Sequence, residues 1–232
     1  MTDWLDRQTR LIGNAATEKL AGARVAVIGL GGVGGAAFEA LVRCGVGNIL
    51  ALDCDVFDLT NLNRQILATR ENVGKLKCET AKERAASINP LCTVSACSTR
   101  LGTDNLEEIF NWQPDFILDA IDNVTAKLAL IETAKKRGVR IVTSMGTGNR
   151  TSAEGFVIAD IEQSAGNGCG LSRVMRRELR KRGINGVMAL FNRTPPRALA
   201  DAERAPASIS FVPPVAGYLL AGYVVRELIR GV

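Results

Sequence analysis

A glycine cluster directly after a short apolar run constrains this chain more than any other feature. The sequence RVAVIGLGGVGG occupies residues 24–35 and places Gly29, Gly31 and Gly34 in the spacing G-x-G-x-x-G. In a strand–turn–helix unit the first glycine allows a tight turn, the second lets backbone approach a phosphate, and the third lets helix and strand pack closely. Because unpaired N–H groups and the positive end of a helix meet at this turn, the stretch predicts a phosphate-binding site.

The pattern on both sides of this turn predicts the fold class. Apolar runs, read as strands, lie at 24–28, 48–53, 92–97, 116–121 and 140–145, and helical patterns lie at 32–44, 75–88, 104–111 and 124–137. Strands that alternate with helices predict an α/β fold with a Rossmann-like, doubly wound and mostly parallel sheet. Beyond residue 146 we predict short strands over FVIADI, GVMALF and SISFV, a basic helix over 171–182, and a final amphipathic helix introduced by Pro213 and Pro214.

The length of 232 residues suits one domain rather than two. Within residues 1–232 we predict a helical arm over 1–22, a nucleotide-binding core over 23–160, and a mixed α/β extension over 161–232 that faces the substrate.

Composition excludes several classes of function. The chain has no histidine, which removes His-based acid–base catalysis and His-ligated metal sites. Six cysteines without a C-x-x-C pair predict reduced thiols and a cytoplasmic protein. We expect no signal peptide, since MTDWLDRQTR lacks an apolar segment, and no membrane span, since no apolar run approaches roughly 18 residues. The net charge of +5 permits an anionic partner without identifying it.

A polar loop, DCDVFDLTNLNRQ at 53–65, bears on which nucleotide is bound. Asp53 ends a predicted strand, where an acidic side chain can meet a ribose hydroxyl. A triphosphate carries more charge than the pyrophosphate of a dinucleotide and calls for fixed cations, which Arg64 and Lys77 can supply. Asp122, just past another strand end, can hold Mg²⁺, although Asp122 and Asn123 could instead cap the next helix. These residues favour a nucleoside triphosphate.

The predicted nucleotide-binding residues are Gly29, Gly31, Gly32, Gly34, Asp53, Asp55, Asn61, Asn63, Arg64, Gln65, Lys77, Asp122 and Asn123. From the residues alone, an NAD-dependent oxidoreductase and a non-catalytic nucleotide-binding module stay open as alternatives.

Four segments in combination resemble the ThiF/MoeB adenylating family, the bacterial relatives of ubiquitin-activating enzymes: GLGGVGG, DCDVFDLTNLNRQ, NVGKLKCETAKERAASINP and DAIDN. The resemblance runs from about Arg7 to Asp160. It implies that a substrate carboxylate attacks the α-phosphate of Mg·ATP to give an acyl-adenylate and pyrophosphate.

The resemblance also implies roles for single residues. Asp53 would hold the ribose, Asn61, Arg64 and Lys77 would reach the phosphates, and Asp122 would bind Mg²⁺. Arg10, in RQTRLIG, would cross a homodimer interface into the site of the partner subunit. The implied catalytic residues are Arg10, Arg64, Lys77 and Asp122.

The last third of the chain resembles one branch of that family, the tRNA threonylcarbamoyladenosine dehydratases. The resemblance rests on TSMGTGN, VIADI, GCGLSRVMRRELRKRGI and SISFVPPVAGYLLAGYVVRELI, with Gly170, Leu171 and Ser172 where the branch usually has Pro-Leu-Ala. It implies that the enzyme adenylates the threonylcarbamoyl carboxylate on tRNA, after which the side chain cyclises with loss of water.

The alternative within the family is activation of the C-terminus of a ubiquitin-like sulfur-carrier protein, together with a cysteine-desulfurase or other sulfur-transfer partner. Members that activate sulfur carriers usually bear two C-x-x-C pairs for zinc, and this chain has none, so no zinc is expected.

The basic helix offers a candidate surface for tRNA. Arg173, Arg176, Arg177 and Arg180 follow i, i+3, i+4 and i+7 and are expected to point outward along one side. Six basic residues between Arg173 and Arg182 suit a phosphate backbone, and the alternative is an ordinary solvated face. Cys169, just before this helix, is expected to be a spectator rather than a nucleophile.

Overall fold

The computed structural model describes residues 4–198 and 206–232, and its centre is a seven-stranded sheet. The strands are β1 (Arg24–Ile28), β2 (Asn48–Leu52), β3 (Thr93–Cys97), β4 (Phe116–Asp119), β5 (Arg140–Ser144), β6 (Phe156–Asp160) and β7 (Met188–Asn192). Their order is β3-β2-β1-β4-β5-β7-β6. All neighbouring pairs are parallel except β6 with β7, so the predicted mostly parallel, doubly wound sheet is confirmed.

Helices cover both faces of this sheet. They are α1 (Asp6–Ile12), α2 (Asn14–Gly22), α3 (Gly32–Arg43), α4 (Lys77–Ile88), α5 (Glu107–Asn111), α6 (Val124–Arg137), α7 (Gly170–Lys181) and α8 (Val212–Leu228). Short 3₁₀ helices lie at Leu59–Asn61, Arg70–Asn72 and Ile161–Ser164. In the described ranges, no helix combines the length and apolar character needed to cross a membrane.

Alternate residues of β1 enter two separate hydrophobic cores. Val25 and Val27 pack with α3, α4 and α8, whereas Ala26 and Ile28 pack with α5, α6 and α7. Strands buried on both faces read as continuous apolar runs, which explains why β1, β2 and β4 are recognisable from sequence. Because these strands are parallel, their carboxyl ends meet at one edge of the sheet, and the polar loops gather there.

Glycines let α3 approach its neighbours closely. A Cβ added at Gly34 would lie 1.7 Å from the carbonyl oxygen of Gly29, at the end of β1. A Cβ added at Gly217, on α8, would lie 2.2 Å from the carbonyl oxygen of Val33. No larger residue fits at either position without moving the backbone, so α3 is held between the β1 turn and α8.

Two predicted elements differ from the structure. The arm forms two helices, because Gly13 between them has φ +86°, a backbone conformation that favours glycine and interrupts a helix. The SISFV segment is not a strand: residues 208–211 lead directly into α8, which takes Pro213 and Pro214 in its first turn, where no N–H is needed. The sequence also predicts a loop over the Pro/Ala-rich residues 194–207, which fall partly outside the described residues.

Candidate active site

A cavity of about 430 Å³ opens at the carboxyl ends of β1, β2 and β4. Strand order reverses between β1 and β4, and open α/β sheets bind their ligands in the crevice at this point. The cavity is lined by Gly29, Gly31, Gly32, Leu52, Asp53, Cys54, Asp55, Asn61, Arg64, Gln65, Lys77, Thr99, Arg100, Leu101, Ala120, Ile121, Asp122, Asn123 and Ala126. It thus gathers most of the predicted nucleotide-binding residues.

The glycine turn and the start of α3 form one wall. Gly29 has φ +89°, and its N–H donates to the Leu52 carbonyl at 2.8 Å, which joins the turn to β2. A Cβ added at Gly31 would meet nothing within 4 Å, so the backbone there is open to a ligand. Gly34 does not line the cavity; its part is the close packing against Gly29. The N-terminus of α3 therefore presents its positive end to the cavity.

Asp53 fastens the loops of two strands together. One carboxylate oxygen accepts the Leu30 N–H at 2.6 Å, and the other accepts the Asp55 N–H at 2.9 Å. The side chain is buried at the end of β2 and lines the cavity. Its contact with a ribose stays a prediction, but its position beside the glycine turn suits that role.

Lys77 is a buried cation at the start of α4. Its Nζ donates to Asp55 Oδ2 at 3.2 Å, and its backbone N–H donates to the Asp55 carbonyl at 3.0 Å. A terminal guanidinium nitrogen of Arg100 lies 3.8 Å from Asp55 Oδ1. Burial raises the pKa of Asp55, but the charge of Lys77, with a smaller contribution from Arg100, more than offsets this, and the pKa lies below its usual value. Asp55 thereby holds Lys77 in place at the cavity.

Arg64 is positioned by its own loop. One terminal nitrogen of its guanidinium donates to the Thr60 carbonyl and to Asn63 Oδ1, each at 3.0 Å. Asn63 is exposed, donates to the Ser208 carbonyl at 3.1 Å, and does not line the cavity. Asn63 therefore lies outside the cavity that gathers most of the predicted nucleotide-binding residues. It orients Arg64, whose remaining N–H groups have no partner among the described residues.

Two buried amides complete this side of the cavity. Asn61 Oδ1 accepts the Asp58 N–H at 3.1 Å and closes a short 3₁₀ turn. Gln65 is buried, and its Oε1 has no hydrogen-bond partner in the described part of the chain. A buried acceptor without a partner is costly, so a donor from a ligand would satisfy Gln65.

The sequence left open whether Asp122 and Asn123 cap a helix or hold a metal ion. Asn123 Oδ1 accepts the Ala126 N–H at 2.9 Å and caps α6. Asp122 is exposed, lines the cavity, and makes no hydrogen bond or ion pair with the residues that the structure describes. The capping role thus belongs to Asn123, and the Asp122 carboxylate is free to bind a hard cation such as Mg²⁺.

Sequence reasoning missed a buried ionic network behind Asp122. The fully buried Lys127 donates to Asp119 Oδ2 at 2.7 Å, to Thr143 Oγ1 at 2.8 Å and to the Ser144 carbonyl at 3.1 Å. The other oxygen of Asp119 accepts the Ile121 N–H at 3.2 Å. Burial lowers the pKa of Lys127, and the neighbouring carboxylate opposes that shift. The network fixes the turn that carries Asp122.

Two arginines of the basic helix α7 make contacts within the chain that the sequence did not predict. Arg176 is half-buried and donates to the buried Ser164 hydroxyl at 2.6 Å, and Arg180 pairs with Glu162. The prediction that Arg176 points freely outward is therefore wrong, because the residue connects α7 to the 3₁₀ helix beneath it.

The other two arginines of this helix are exposed. Arg177 pairs with Glu178 at 3.0 Å, whereas Arg173 makes no side-chain hydrogen bond or ion pair with another described residue. Arg182, Arg177 and Lys181 surround Glu178 and lower its pKa to about 2. None of the four predicted tRNA-binding arginines lines the cavity.

Arg10 and Cys169 lie outside the cavity. Arg10 is exposed on α1 and does not reach the site of its own subunit. Cys169 is buried at the N-terminus of α7, and all six cysteines are free thiols.

Comparison with known proteins agrees with this geometry. The model of the ThiF family matches residues 5–230. The tRNA threonylcarbamoyladenosine dehydratase of Bacillus subtilis is 36% identical over 248 residues, covering 100% of this chain and 97% of that protein. The crystal structure of the Escherichia coli tRNA N6-threonylcarbamoyladenosine dehydratase in complex with ATP has a TM-score of 0.87 and 30% identity, covering 97% of this chain and 93% of that one.

A second group of relatives matches only part of the chain. An adenylyltransferase and sulfurtransferase of Eremothecium gossypii is 36% identical over 137 residues, which are 59% of this chain and 30% of that protein. The dehydratase of Bacillus subtilis, in contrast, matches from end to end. On its fold, its glycine turn and a family match that spans nearly all its residues, the chain belongs to the ThiF family.

Proposed function

We propose that this protein is an ATP-dependent tRNA threonylcarbamoyladenosine dehydratase. The observation that carries the proposal is the end-to-end match with a dehydratase, in a chain whose cavity brings together Arg64, Lys77 and a free Asp122 carboxylate. A cavity with two cations and an open helix N-terminus is suited to a triphosphate. The tRNA substrate also supports a cytoplasmic location.

The first chemical step transfers adenylate. An oxygen of the threonylcarbamoyl carboxylate attacks the α-phosphorus of ATP, and the bond from that phosphorus to the bridging oxygen of the β-phosphate breaks, releasing pyrophosphate. An atom of the same side chain then attacks the activated carbonyl, gives up its proton to solvent, displaces AMP and closes a ring. AMP keeps the former carboxylate oxygen, so the substrate has lost the elements of water.

The residues of the cavity match the needs of this step. Charge that develops on the phosphates is stabilised by preorganised donors, here the Arg64 fork, Lys77 and the backbone at the start of α3. Asp122 would hold Mg²⁺, which shields the phosphate charge from the attacking carboxylate. The adenylation step needs no general base, because its nucleophile is a carboxylate that is already ionised at pH 7.

Pyrophosphate release separates the possible substrates. With ATP and Mg²⁺, we expect the purified protein to release pyrophosphate when tRNA bearing threonylcarbamoyladenosine is added. The matched control is the same tRNA without the threonylcarbamoyl group, with which the protein should release no pyrophosphate.

A carrier protein ending in Gly-Gly tests the second candidate, activation of a ubiquitin-like sulfur carrier, which the partial match to the sulfurtransferase favours. Pyrophosphate release with the carrier protein, and none with the modified tRNA, would replace the dehydratase proposal.

Binding of ATP should stabilise the folded protein. At an ATP concentration of about 100 times its Kd, the free energy of unfolding should rise by about 2.7 kcal/mol. A larger rise with NADH would refute adenylation.

We also propose that α7 lies on the tRNA backbone. Arg173 carries the argument, because it is exposed and its charge is not paired by another described residue. Arg177, Arg176 and Arg180 add positive charge on the same helix, although each already has a partner within the chain.

Charge reversal at Arg173 is expected to weaken tRNA binding roughly tenfold at low salt and to make its salt dependence shallower, since one phosphate contact is lost. Lys82→Glu, an exposed position on α4 at the opposite face of the sheet, is the matched control. Binding of tRNA at two salt concentrations and binding of ATP are measured for both variants. Equal losses in the two variants would show that only net charge matters and would remove α7 from the tRNA site.

A homodimer is the third part of the proposal. Exposed apolar residues lie next to the loop around Asn63, on the segment that leads into α8, and on the first half of α8, and Asn63 bonds to Ser208 of that segment. They are Ile66, Ile209, Phe211, Tyr218 and Leu219, each between 39% and 46% exposed. Apolar surface of this kind is typical of an interface, and a second copy would also supply the Arg10 that each site lacks.

A further inference from the structure

Arg100 is a cation of the cavity to which neither the glycine motif nor the polar loop assigns a role. It follows β3 and lines the cavity, with a side chain that is 80% exposed. Its side chain has a single partner among the described residues, the Asp55 carboxylate at 3.8 Å. One long ion pair therefore holds the guanidinium near the cavity, and neither of its flat faces stacks on another described side chain.

The order of the strands indicates which part of a nucleotide would lie near Arg100. The glycine turn at the end of β1 suits the phosphates, and Asp53 at the end of β2 suits the ribose. The base then lies farther along the same edge, toward β3, which pairs with β2. The cavity has apolar side chains at this end, among them Leu52 and Leu101. A flat aromatic base fits such a wall.

We propose that Arg100 binds the nucleotide by stacking its guanidinium on one face of the adenine ring. The inference rests on the proposed function, because it requires ATP in this cavity. A planar, weakly hydrated guanidinium stacks well on aromatic faces, and nucleic-acid bases are bound in this way by arginines in other proteins. Asp55 limits where the guanidinium can go and keeps it on the β3 side of the cavity.

The competing contact is with phosphate. Asp55 also holds Lys77, so Arg100 and Lys77 both lie within 4 Å of the same carboxylate. If Arg100 acted only through its charge, a lysine at this position would serve as well. If it stacks, lysine fails, because an ammonium group has no flat face.

The test compares Arg100→Ala and Arg100→Lys with wild type by calorimetric titration of ATP, AMP and tripolyphosphate. We expect both variants to bind ATP and AMP roughly tenfold more weakly, with tripolyphosphate binding unchanged. Arg70→Ala, at an exposed arginine that does not line the cavity, should behave as wild type. Thermal melting should show equal stability in all variants, since the Arg100 side chain is exposed.

Three results would overturn the inference about Arg100: full affinity in Arg100→Lys, unchanged ATP affinity in Arg100→Ala, or a loss of tripolyphosphate binding that matches the loss of ATP binding. In each case wild type still binds ATP, and the proposed function stands. If wild type itself fails to bind ATP, the proposed function is wrong, and the inference falls with it.

Discussion

Mixing Arg10→Ala subunits with Asp122→Ala subunits is expected to restore activity that neither variant has alone. Each variant should lose about 10² to 10³ in the rate of pyrophosphate release, the typical effect of removing one preorganised group around a developing charge. In a symmetric dimer whose sites take Arg10 from one subunit and Asp122 from the other, a mixed dimer has one site with both changes and one intact site. Random exchange should therefore return about a quarter of wild-type activity.

A second mixture provides the control. Lys77 and Asp122 line the same cavity of one subunit. In a mixed dimer of Lys77→Ala and Asp122→Ala subunits, each site therefore still carries one change, and activity should stay low. The measurement is pyrophosphate release by the unfractionated mixture after subunit exchange, and mixed dimers isolated by two affinity tags should show about half of wild-type activity. If the Arg10 mixture stays as inactive as the Lys77 mixture, each site is self-contained and Arg10 has no part in it.

Lys127→Met is expected to destabilise the fold by about 3–5 kcal/mol, because it leaves the Asp119 charge buried without a partner. For a chain of this size that corresponds to a fall in Tm of about 10 °C. The double variant Lys127→Met/Asp119→Asn removes both charges and keeps an acceptor for the Ile121 N–H. It should recover most of the loss, since a buried ion pair replaced as a unit costs little.

Lys136→Met is the matched control for Lys127. Lys136 lies on the same helix, and its ion pair with Glu132 is on the surface, so its loss should change stability by less than about 1 kcal/mol. Chemical denaturation of the four proteins gives the comparison. If Lys127→Met unfolds no more easily than Lys136→Met, the buried network does not hold the turn before α6.

Local sequence signals predicted helix boundaries and turns correctly where a residue with a specific backbone role lies at the boundary. The predicted helix over 124–137 has the observed bounds of α6, because Asn123 caps its first turn and Gly138 ends it in the left-handed conformation. The glycine spacing likewise predicted the turn at Gly29 and the close packing at Gly34. In both cases a residue type with a specific backbone role lies at the element boundary.

Other features depended on contacts that the sequence does not display. The alternation of Ile209 and Phe211 resembles a strand, but these residues lie exposed beside α8. The spacing of the arginines on α7 placed them on one side and could not show that Ser164 lies within reach of Arg176. The orientation of Arg176 was decided by a contact between two separate elements, α7 and the 3₁₀ helix at Ile161–Ser164.

The buried Lys127 did leave a signal in the sequence. Asp119 interrupts an otherwise apolar strand, and a carboxylate buried in a sheet requires a cationic or hydrogen-bonding partner. Lys127 follows eight residues later, in the first turn of the next helix, and its side chain is fully buried. Arg100 gave no such signal, because an arginine in a polar loop after a strand is ordinary surface composition.

The close approach of α8 to α3 bears on how the protein matures as it leaves the ribosome. Gly217 of α8 packs against the backbone of Val33, near the start of α3. The helix that begins at the glycine turn is therefore supported by a segment that is translated much later. Until residues 212–228 have emerged, the apolar side of α3 lacks the part of its cover that α8 provides. The phosphate turn therefore gains its rigid support late in synthesis, and a nascent chain that stops before α8 has the complete glycine motif without the scaffold that holds it ready for ATP.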